Sequence, residues 1–259
     1  MDVRSVIVTG STSGIGLGIA EIFAKAGDQI VLNGIESEEA VQPIIDKLKA
    51  LSGGHSVYSS ADLSTIEGCH SLVDTCLDAF GSVDVVVNNA GIQHKAPVEN
   101  FPENMWRKVI HLNLEAAFFI SQKALPHMYK KGWGRLIHIS SAHGLVASTE
   151  KAAYVAAKHG LLGLSKVIAL EAAGRGVTSN CICPGWVLTP LVQKQIEGIA
   201  AKDGCSIDEA KQKLLVEKQP SKQFATPEEI GASTLFLASN EAAQITGTHL
   251  SVDGGWTAQ

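Results

Sequence analysis

The segment VRSVIVTGSTSGIGLGIAEIFAKAG, residues 3–27, decides the fold class of this chain. Its first part, Val3 to Thr9, is a short β-branched run of the kind that forms a buried strand. A glycine-rich turn follows and leads directly into a helical pattern. The apolar stripe of that helix is formed by Ile15, Ile19, Ile22 and Phe23. Strand, turn and helix make the first part of a βαβ unit, and a second strand is predicted at residues 29–33.

Further strands are predicted along the rest of the chain, separated by helical patterns. They fall at residues 55–60, 83–88, 135–140, 178–183 and 248–253. Strands rich in Val and Ile without strict alternation are typical of a parallel sheet that is buried on both faces. We therefore predict an α/β, doubly wound fold with helices on both faces of the sheet, built as one domain over residues 1–259.

One segment, at about residues 189–220, breaks the alternation with two helical pieces after a strand end. Connections of this length in a compact domain are often active-site lids. We predict a helical substrate lid here. The alternative is a helical hairpin that only covers the core.

Composition excludes several functional classes. The chain has 259 residues, a formal net charge of -5 and no basic stripe, so nucleic acid is not an expected partner. No stretch approaches the roughly 18 apolar residues of a membrane span, and no signal peptide pattern opens the chain, so we expect a cytoplasmic protein with no membrane partner. The five cysteines match no metal-ligand spacing, and no metal site is predicted.

The first turn has the residues of a dinucleotide site. Gly10, Gly14 and Gly16 let the backbone approach a diphosphate, whose charge the N-terminal amides of the following helix stabilise. Thr12 and Ser13 add hydroxyl donors. A plain tight turn is the alternative, and the position between a strand and a helix favours dinucleotide binding.

The residues after the second strand favour NAD over NADP. NAD sites normally place a carboxylate there for the ribose diol, and this chain has Asn33-Gly34-Ile35-Glu36. No Arg or Lys stands nearby to neutralise a 2′-phosphate, and Glu36 would repel one. Asp62, after the third strand, is placed to accept a hydrogen bond from the adenine amine, or else belongs to an ordinary helix N-terminus.

The segment SSAHGLVASTEKAAYVAAKHG, residues 140–160, contains the candidate catalytic groups. Tyr154 and Lys158 are four residues apart, so on a helix their side chains share one face. A phenol beside an ammonium, and beside a cationic cofactor, is expected to have its pKa lowered from about 10 towards neutral pH, which makes it a general acid and base. Alone, the pair could be an amphipathic pair on a helix surface.

Several motifs together resemble the short-chain dehydrogenase/reductase family, in order and over the whole chain. They are Thr9-Gly10-x-x-x-Gly14-Ile15-Gly16, Asn88-Asn89-Ala90-Gly91, Ser141, Tyr154-x-x-x-Lys158 and Pro184-Gly185. The resemblance implies a Rossmann-type fold with a seven-stranded sheet, a nicotinamide cofactor and a homotetramer. It also implies four catalytic residues, which match Asn113, Ser141, Tyr154 and Lys158.

The same resemblance implies a role for each of these groups. Tyr154 exchanges a proton with the substrate oxygen, which Ser141 orients, and Lys158 lowers the pKa of the phenol and holds the nicotinamide ribose. Asn113, in the middle of a helix, bends it and anchors a water. Further cofactor contacts are implied at Ile15, Ile35, Leu63, Asn89, Gly91, Pro184, Gly185, Val187 and Thr189.

Four polar residues beside these positions indicate the substrate: Gln93, His143, Lys151 and Gln195. An ammonium with amide and imidazole donors suits a small 3-hydroxy or 3-oxo carboxylate, because a carboxylate removed from water needs a paired charge and hydrogen bonds. Trp186 and Trp256 are expected to form an apolar wall. Taken singly, His143 could cap a turn, Lys151 could be a solvated charge and Gln195 could be helix surface.

The leading interpretation is therefore an NAD-dependent dehydrogenase that oxidises a small 3-hydroxy acid reversibly. One alternative is an NADP-dependent 3-oxoacyl-carrier-protein reductase, which needs basic residues near the cofactor phosphate and an open apolar cleft. Another is a cofactor-binding protein without catalysis, since fold alone does not establish function.

Overall fold

Seven strands form one parallel sheet in the computed structural model, which describes residues 3–259. Met1 and Asp2 of the predicted domain lie outside the described residues. The sheet order is β3-β2-β1-β4-β5-β6-β7, as expected for a doubly wound fold. The strands are β1 (Ser5–Val8), β2 (Gln29–Asn33), β3 (Ser56–Ser59), β4 (Val85–Asn88), β5 (Gly134–Ile139), β6 (Val177–Pro184) and β7 (His249–Val252).

Helices connect successive strands and cover both faces of the sheet. They are α1 (Gly14–Lys25), α2 (Glu38–Leu51), α3 (Ile66–Phe80), α4 (Glu103–Ile110), α5 (Ala116–Lys131), α6 (Ala152–Glu171), α7 (Pro190–Asp203), α8 (Ile207–Val216) and α9 (Pro227–Leu237). Within residues 3–259, no helix combines the length and apolar character needed to cross a bilayer.

Alternate residues of each central strand enter two different cores. In β1, Val6 and Val8 pack with residues of α1 and α9, whereas Ile7 packs with residues of α3, α5 and α6. The same alternation separates Val87 from Val86 in β4. Because side chains of a strand point to opposite faces in turn, the uniformly apolar strands follow from burial of both faces.

The strand order reverses between β1 and β4, and this position fixes where the site forms. In open α/β sheets, the crevice outside the carboxyl ends of the strands at such a reversal is the ligand site. The glycine-rich turn leaves β1 there, and the Asn88-Asn89-Ala90-Gly91 turn leaves β4 beside it.

The predicted lid segment contains α7 and α8, joined by a turn at Gly204. The two helices pack on each other through a small cluster that includes Val192, Ile196 and Ala210. The two helices bury a small apolar cluster, which is what a helical hairpin that covers the core would do. They also line the large cavity described below, which is what a substrate lid would do.

The contact between α1 and α9 depends on the absence of a side chain at Gly18. A Cβ added there would lie 2.4 Å from Pro227 Cβ, closer than packed atoms approach. We expect Gly18→Ala to lower the free energy of unfolding by about 1–3 kcal/mol, because the helices must separate. Lys25→Ala, exposed on the same helix, should change it by less than about 0.5 kcal/mol. Denaturant unfolding of both variants measures the difference, and equal stability would contradict this description of the contact.

Candidate active site

The three candidate catalytic side chains meet where β5 ends and α6 begins. Ser141 lies two residues after the end of β5, and Tyr154 and Lys158 stand on the first turns of α6. Lys158 Nζ donates to the main-chain oxygen of Ile139 at 2.7 Å and lies 5.6 Å from the centroid of the Tyr154 ring. Ser140 Oγ donates to the main-chain oxygen of Lys158 at 2.9 Å, so two hydrogen bonds join the helix to the strand end.

Burial sets the protonation of this pair. It lowers the pKa of Lys158 to about 8. It also raises the pKa of Tyr154, and the hydrogen bond with Ser141 offsets only part of that rise. In the protein alone, the pKa of the phenol therefore shifts in the direction opposite to the one expected from its lysine neighbour. A low dielectric disfavours the phenolate, so lowering this pKa requires a further positive charge at the site.

A cavity of about 830 Å³ opens beside these groups, and five of the predicted substrate residues line it. These five are His143, Lys151, Trp186, Gln195 and Trp256. Gln93 lies in the loop after β4 and does not line this cavity, so its contact with the substrate stays a prediction.

Aromatic rings form one wall of the cavity. The rings of Trp186 and Trp256 are stacked with centroids 6.3 Å apart. His143 packs edge-on against Trp256 at 5.1 Å and against Tyr154 at 6.0 Å. The wall therefore links the cavity to the candidate catalytic tyrosine.

The cavity places an ionisable ammonium and a neutral imidazole next to this wall. His143 is buried, and burial together with the Lys151 charge lowers its pKa to about 4, so the imidazole is neutral at neutral pH. Its Nε2 is 2.9 Å from Ser148 Oγ. Lys151 Nζ lies 5.9 Å from the Trp186 ring, and burial, then the charges of Lys95 and Lys218, lower its pKa to about 8.

The glycine-rich turn is packed too tightly to accept side chains. Gly10 has φ +59° and Gly16 has no space for a Cβ, which would lie 2.3 Å from the Gly10 oxygen. The Asn89 side chain donates to the main-chain oxygens of Thr9 and Gly10 at 2.9 and 3.0 Å, which ties the turn after β4 to the turn after β1. A Cβ at Gly14 would be 3.5 Å from Thr189, so the start of α7 also reaches this turn.

The start of α1 fits a diphosphate. Ser13 occupies its N-cap position, yet within residues 3–259 its side chain makes no capping hydrogen bond. Four other helices have a start capped by a side chain, at Thr65, Thr189, Ser206 and Thr226, whereas α2, with Ser37 at its N-cap, resembles α1 in having none. Amides left without a capping side chain bind anions readily.

Asn33 occupies the end of β2, near the position where NAD sites normally have a carboxylate, and its side chain has a structural role there. Its Oδ1 accepts from Gly10 N–H at 3.3 Å, and its Nδ2 donates to the oxygens of Ser59 and Ala61 at 3.1 Å each. The side chain therefore joins the end of β2 to the turn after β1 and to the end of β3, and these three bonds engage both ends of its amide. The carboxylate at this position belongs to Glu36, whose oxygens accept from Thr12 Oγ1 and from its neighbour's amide, each at 3.0 Å.

Asn113 lies in a π-helical turn, His111–Glu115, between α4 and α5. Its Oδ1 accepts from Ile92 N–H at 2.8 Å and its Nδ2 donates to the Ile92 oxygen at 2.9 Å. The residue is buried within a distorted turn of the helix, so it is not a surface asparagine. Gly91 packs against the same amide, and Leu63 lines a small cavity beside it.

The remaining predicted cofactor residues surround this crevice. Asp62 is exposed, and its Oδ1 accepts from Ser64 N–H at 2.9 Å, which lowers its pKa. Ile35 is 84% exposed after β2. Pro184 and Gly185 stand at the end of β6, where Val187 is bridged to Ala225.

Sequence patterns missed two cavity-lining cations, Lys95 and Lys218. They also missed Gln219, which is 2% exposed and binds the main chain of Trp186. Sequence reasoning gave none of the three a role, since their importance depends on contacts between distant segments.

Comparison with known proteins agrees with this architecture. Residues 10–257 match the family model described as enoyl-(acyl carrier protein) reductase. The chain belongs to the short-chain dehydrogenase/reductase family.

Individual members of the family share high sequence identity with this chain. The chain is 50% identical to D-beta-hydroxybutyrate dehydrogenase of Cupriavidus necator, over 99% of this chain and 98% of the relative. It is 48% identical to the enzyme of the same name from Rhizobium meliloti, over 99% of both chains. Among solved structures, L-sorbose reductase from Gluconobacter frateurii, complexed with NADPH and L-sorbose, matches with a TM-score of 0.95 and 31% identity over 100% of this chain and 98% of that one.

The low pKa of Lys151 is directly measurable. Lysine side chains in water titrate near about 10.4. In protein labelled with [ε-¹³C]lysine, we expect one resonance to titrate near pH 8 and to be absent from Lys151→Arg. Lys158 also has a pKa of about 8, so Lys158→Arg identifies its resonance separately. A Lys151 resonance that titrates above pH 10 would show that the cavity does not desolvate this ammonium.

Proposed function

We propose that this protein is a D-3-hydroxybutyrate dehydrogenase, which oxidises (R)-3-hydroxybutyrate to acetoacetate reversibly with NAD. The observation that carries the proposal is the aromatic-walled cavity, which Lys151 and His143 line together and whose His143 ring packs edge-on against Tyr154. A cationic pocket beside an acid/base pair selects a small acid whose reacting carbon is close to its carboxylate. The identity with two relatives of this name supports the same substrate.

The proton chemistry rests on Tyr154. Its phenol takes the proton of the C3 hydroxyl during oxidation and returns it during reduction, while Ser141 holds the same oxygen. The nicotinamide supplies the hydride acceptor. Lys158, buried and held on the Ile139 oxygen, binds the nicotinamide ribose and adds positive charge beside the phenol. Because burial alone raises the pKa of Tyr154, the positive charge of the oxidised ring supports the phenolate form.

The substrate carboxylate is bound by Lys151, with hydrogen bonds from His143, Gln195 and Gln93. A neutral His143 donates or accepts without adding a second charge. The stacked rings of Trp186 and Trp256 cover the methyl group, and α7 and α8 exclude water from the reacting carbon as the substrate lid.

We assign the cofactor as NAD rather than NADP. The cofactor would lie along the carboxyl ends of the strands. It would be held there by the cofactor residues predicted from sequence, among them Gly10, Thr12, Ser13 and Thr189. Glu36 stands at the site of the adenosine ribose, hydrogen-bonded to Thr12, and its carboxylate would repel a 2′-phosphate.

The alternatives agree less well with these contacts. A 3-oxoacyl-carrier-protein reductase needs an open apolar cleft for its acyl chain, whereas here Lys151 and Lys218 place charge at the cavity wall. A protein without catalysis would have no need for the complete set of Asn113, Ser141, Tyr154 and Lys158.

We further propose a cytoplasmic homotetramer. Apolar side chains are exposed on α4, α5 and α6, among them Trp106 (40%), Phe118 (43%) and Leu170 (79%), and patches of this kind mark subunit contacts. All five cysteines are free thiols, which fits a reducing compartment.

Light scattering coupled to gel filtration measures the mass of the assembly in solution. We expect the mass of four chains, and the mass of a single chain would refute the homotetramer.

The Tyr154→Phe variant tests the proposed function. We expect wild type to oxidise NADH in an acetoacetate-dependent reaction and the variant to lose about 10²–10⁴-fold in kcat, because the phenol proton is gone. Tyr129→Phe, which changes a tyrosine of α5, should keep its kcat. Near-wild-type turnover by Tyr154→Phe, or no reaction of wild type with acetoacetate, would refute the proposal.

The Glu36→Gln variant tests the choice of cofactor. Wild type should prefer NADH to NADPH. Removing the charge while keeping the length of the side chain should raise kcat/KM for NADPH by about fivefold relative to NADH. Glu38→Gln, exposed at the start of α2, serves as the control. An unchanged ratio in Glu36→Gln would mean that this carboxylate does not face the ribose.

A further inference from the structure

The cavity contains more positive charge than one carboxylate anchor requires. Four lysines line it, together with two glutamates: Lys95, Lys151, Lys202, Lys218, Glu150 and Glu217. Only Lys151 has a role in the proposed function. The other cations differ in burial, since Lys95 and Lys202 are exposed and Lys218 is half-buried, with 30% of its side chain exposed. A less hydrated ammonium interacts more strongly with an anion, so Lys218 is the candidate for a second anchor.

Lys218 is attached to the segments that carry both tryptophans. The next residue, Gln219, is 2% exposed, and its Oε1 accepts from Trp186 N–H at 2.8 Å. Ser221 N–H donates to the Gly254 oxygen at 2.9 Å, two residues before Trp256. The segment that follows α8 is therefore attached to the cavity wall on the C-terminal side of Lys218, by one partly buried and one exposed hydrogen bond.

The ammoniums of Lys151 and Lys218 lie at the same aromatic wall. Lys151 Nζ is 5.9 Å from the Trp186 centroid, and Lys218 Nζ is 5.9 Å from the Trp256 centroid. The two rings are stacked on each other. The charge of Lys218 reaches the other polar groups of the pocket, because it contributes to lowering the pKa of both His143 and Lys151.

Glu217 already provides a carboxylate for Lys218. Its Oε1 lies 3.3 Å from Lys218 Nζ, and 70% of the Glu217 side chain is exposed. An exposed pair of this kind contributes little free energy, so another carboxylate can replace it. Its charge also supports the ionised form of Lys151, since it acts to raise the pKa of that group. Glu217 thus contacts one lysine of the cavity and acts electrostatically on the other.

We propose that Lys218 is a specificity-determining residue, the second cation of the substrate carboxylate site, and that it exchanges Glu217 for the carboxylate of the 3-oxo acid on binding. The inference rests on the proposed function and adds a residue to it. A carboxylate shared by two ammoniums explains how a four-carbon acid can be retained in a cavity much larger than itself.

Three variants test the exchange, each assayed at pH 7 with NADH and acetoacetate. Lys218→Met keeps the aliphatic stem and removes the charge, so its KM should rise about tenfold with kcat within about twofold of wild type. Glu217→Gln removes the competing carboxylate, so its KM should fall about threefold. Lys202→Met, in the same cavity but exposed, should change KM by less than about twofold.

Acetate, which has the carboxylate but no carbonyl, separates binding from chemistry. Its inhibition constant against acetoacetate should rise in Lys218→Met and fall in Glu217→Gln in parallel with KM. Lys218→Arg should restore KM, and thermal unfolding should show that Lys218→Met is folded.

Two results would overturn the assignment. In the first, Lys218→Met has the same KM for acetoacetate and the same acetate inhibition constant as wild type. The other is an equal rise in Lys202→Met, which would indicate a general field and no specific contact. If wild type fails to reduce acetoacetate, the proposed function fails instead, and acetate binding measured by calorimetry with the three variants still decides whether Lys218 holds a carboxylate.

Discussion

The junction between β5 and α6 is the contact on which the site depends. Lys158 places its ammonium on the Ile139 oxygen, and Ser140 places its hydroxyl on the Lys158 oxygen, so strand and helix are joined in both directions. Gly144 allows this closeness, because a Cβ there would lie 2.4 Å from Ser140 Oγ. With the junction fixed, Ser141 and Tyr154 lie within hydrogen-bonding reach of each other.

Burial at this junction destabilises the charged forms of its side chains, and the positive charge of a bound cofactor can offset this effect for Tyr154. It lowers the pKa of Lys158, raises that of Tyr154 and keeps His143 neutral. Each shift disfavours the charged form of its group, as expected in a low dielectric. The phenol therefore gains from the positive nicotinamide, and the lysine-lined cavity gains from the negative carboxylate of the substrate. In the proposed complex, the nicotinamide charge pairs with the phenolate of Tyr154 and the substrate carboxylate pairs with the lysines of the cavity.

The fold was predictable from the sequence, because apolar strands buried on both faces and a glycine turn between strand and helix together occur in few architectures besides a doubly wound sheet. Most strand bounds differ from the predicted ones by one or two residues, where local pattern and hydrogen bonding diverge. Motif spacing also predicted the meeting of Ser141, Tyr154 and Lys158.

Three features of the site could not be predicted from local patterns. The direction of the pKa shift of Tyr154 depends on burial in three dimensions. The hydrogen bonds that join Asn33 to the turn after β1 and to the end of β3 connect segments that are distant in the chain. So does the approach of Lys218 to the cavity from the segment after α8. Contacts of this kind leave no periodicity or motif in the sequence.

The most direct measurement is a crystal structure of the protein with NAD and (R)-3-hydroxybutyrate. We predict the C3 oxygen within about 3 Å of the Tyr154 hydroxyl and the carboxylate at hydrogen-bonding distance from Lys151 Nζ, against the stacked tryptophans. A substrate bound with its carboxylate away from Lys151, or with its C3 oxygen out of reach of Tyr154, would contradict this assignment of the site.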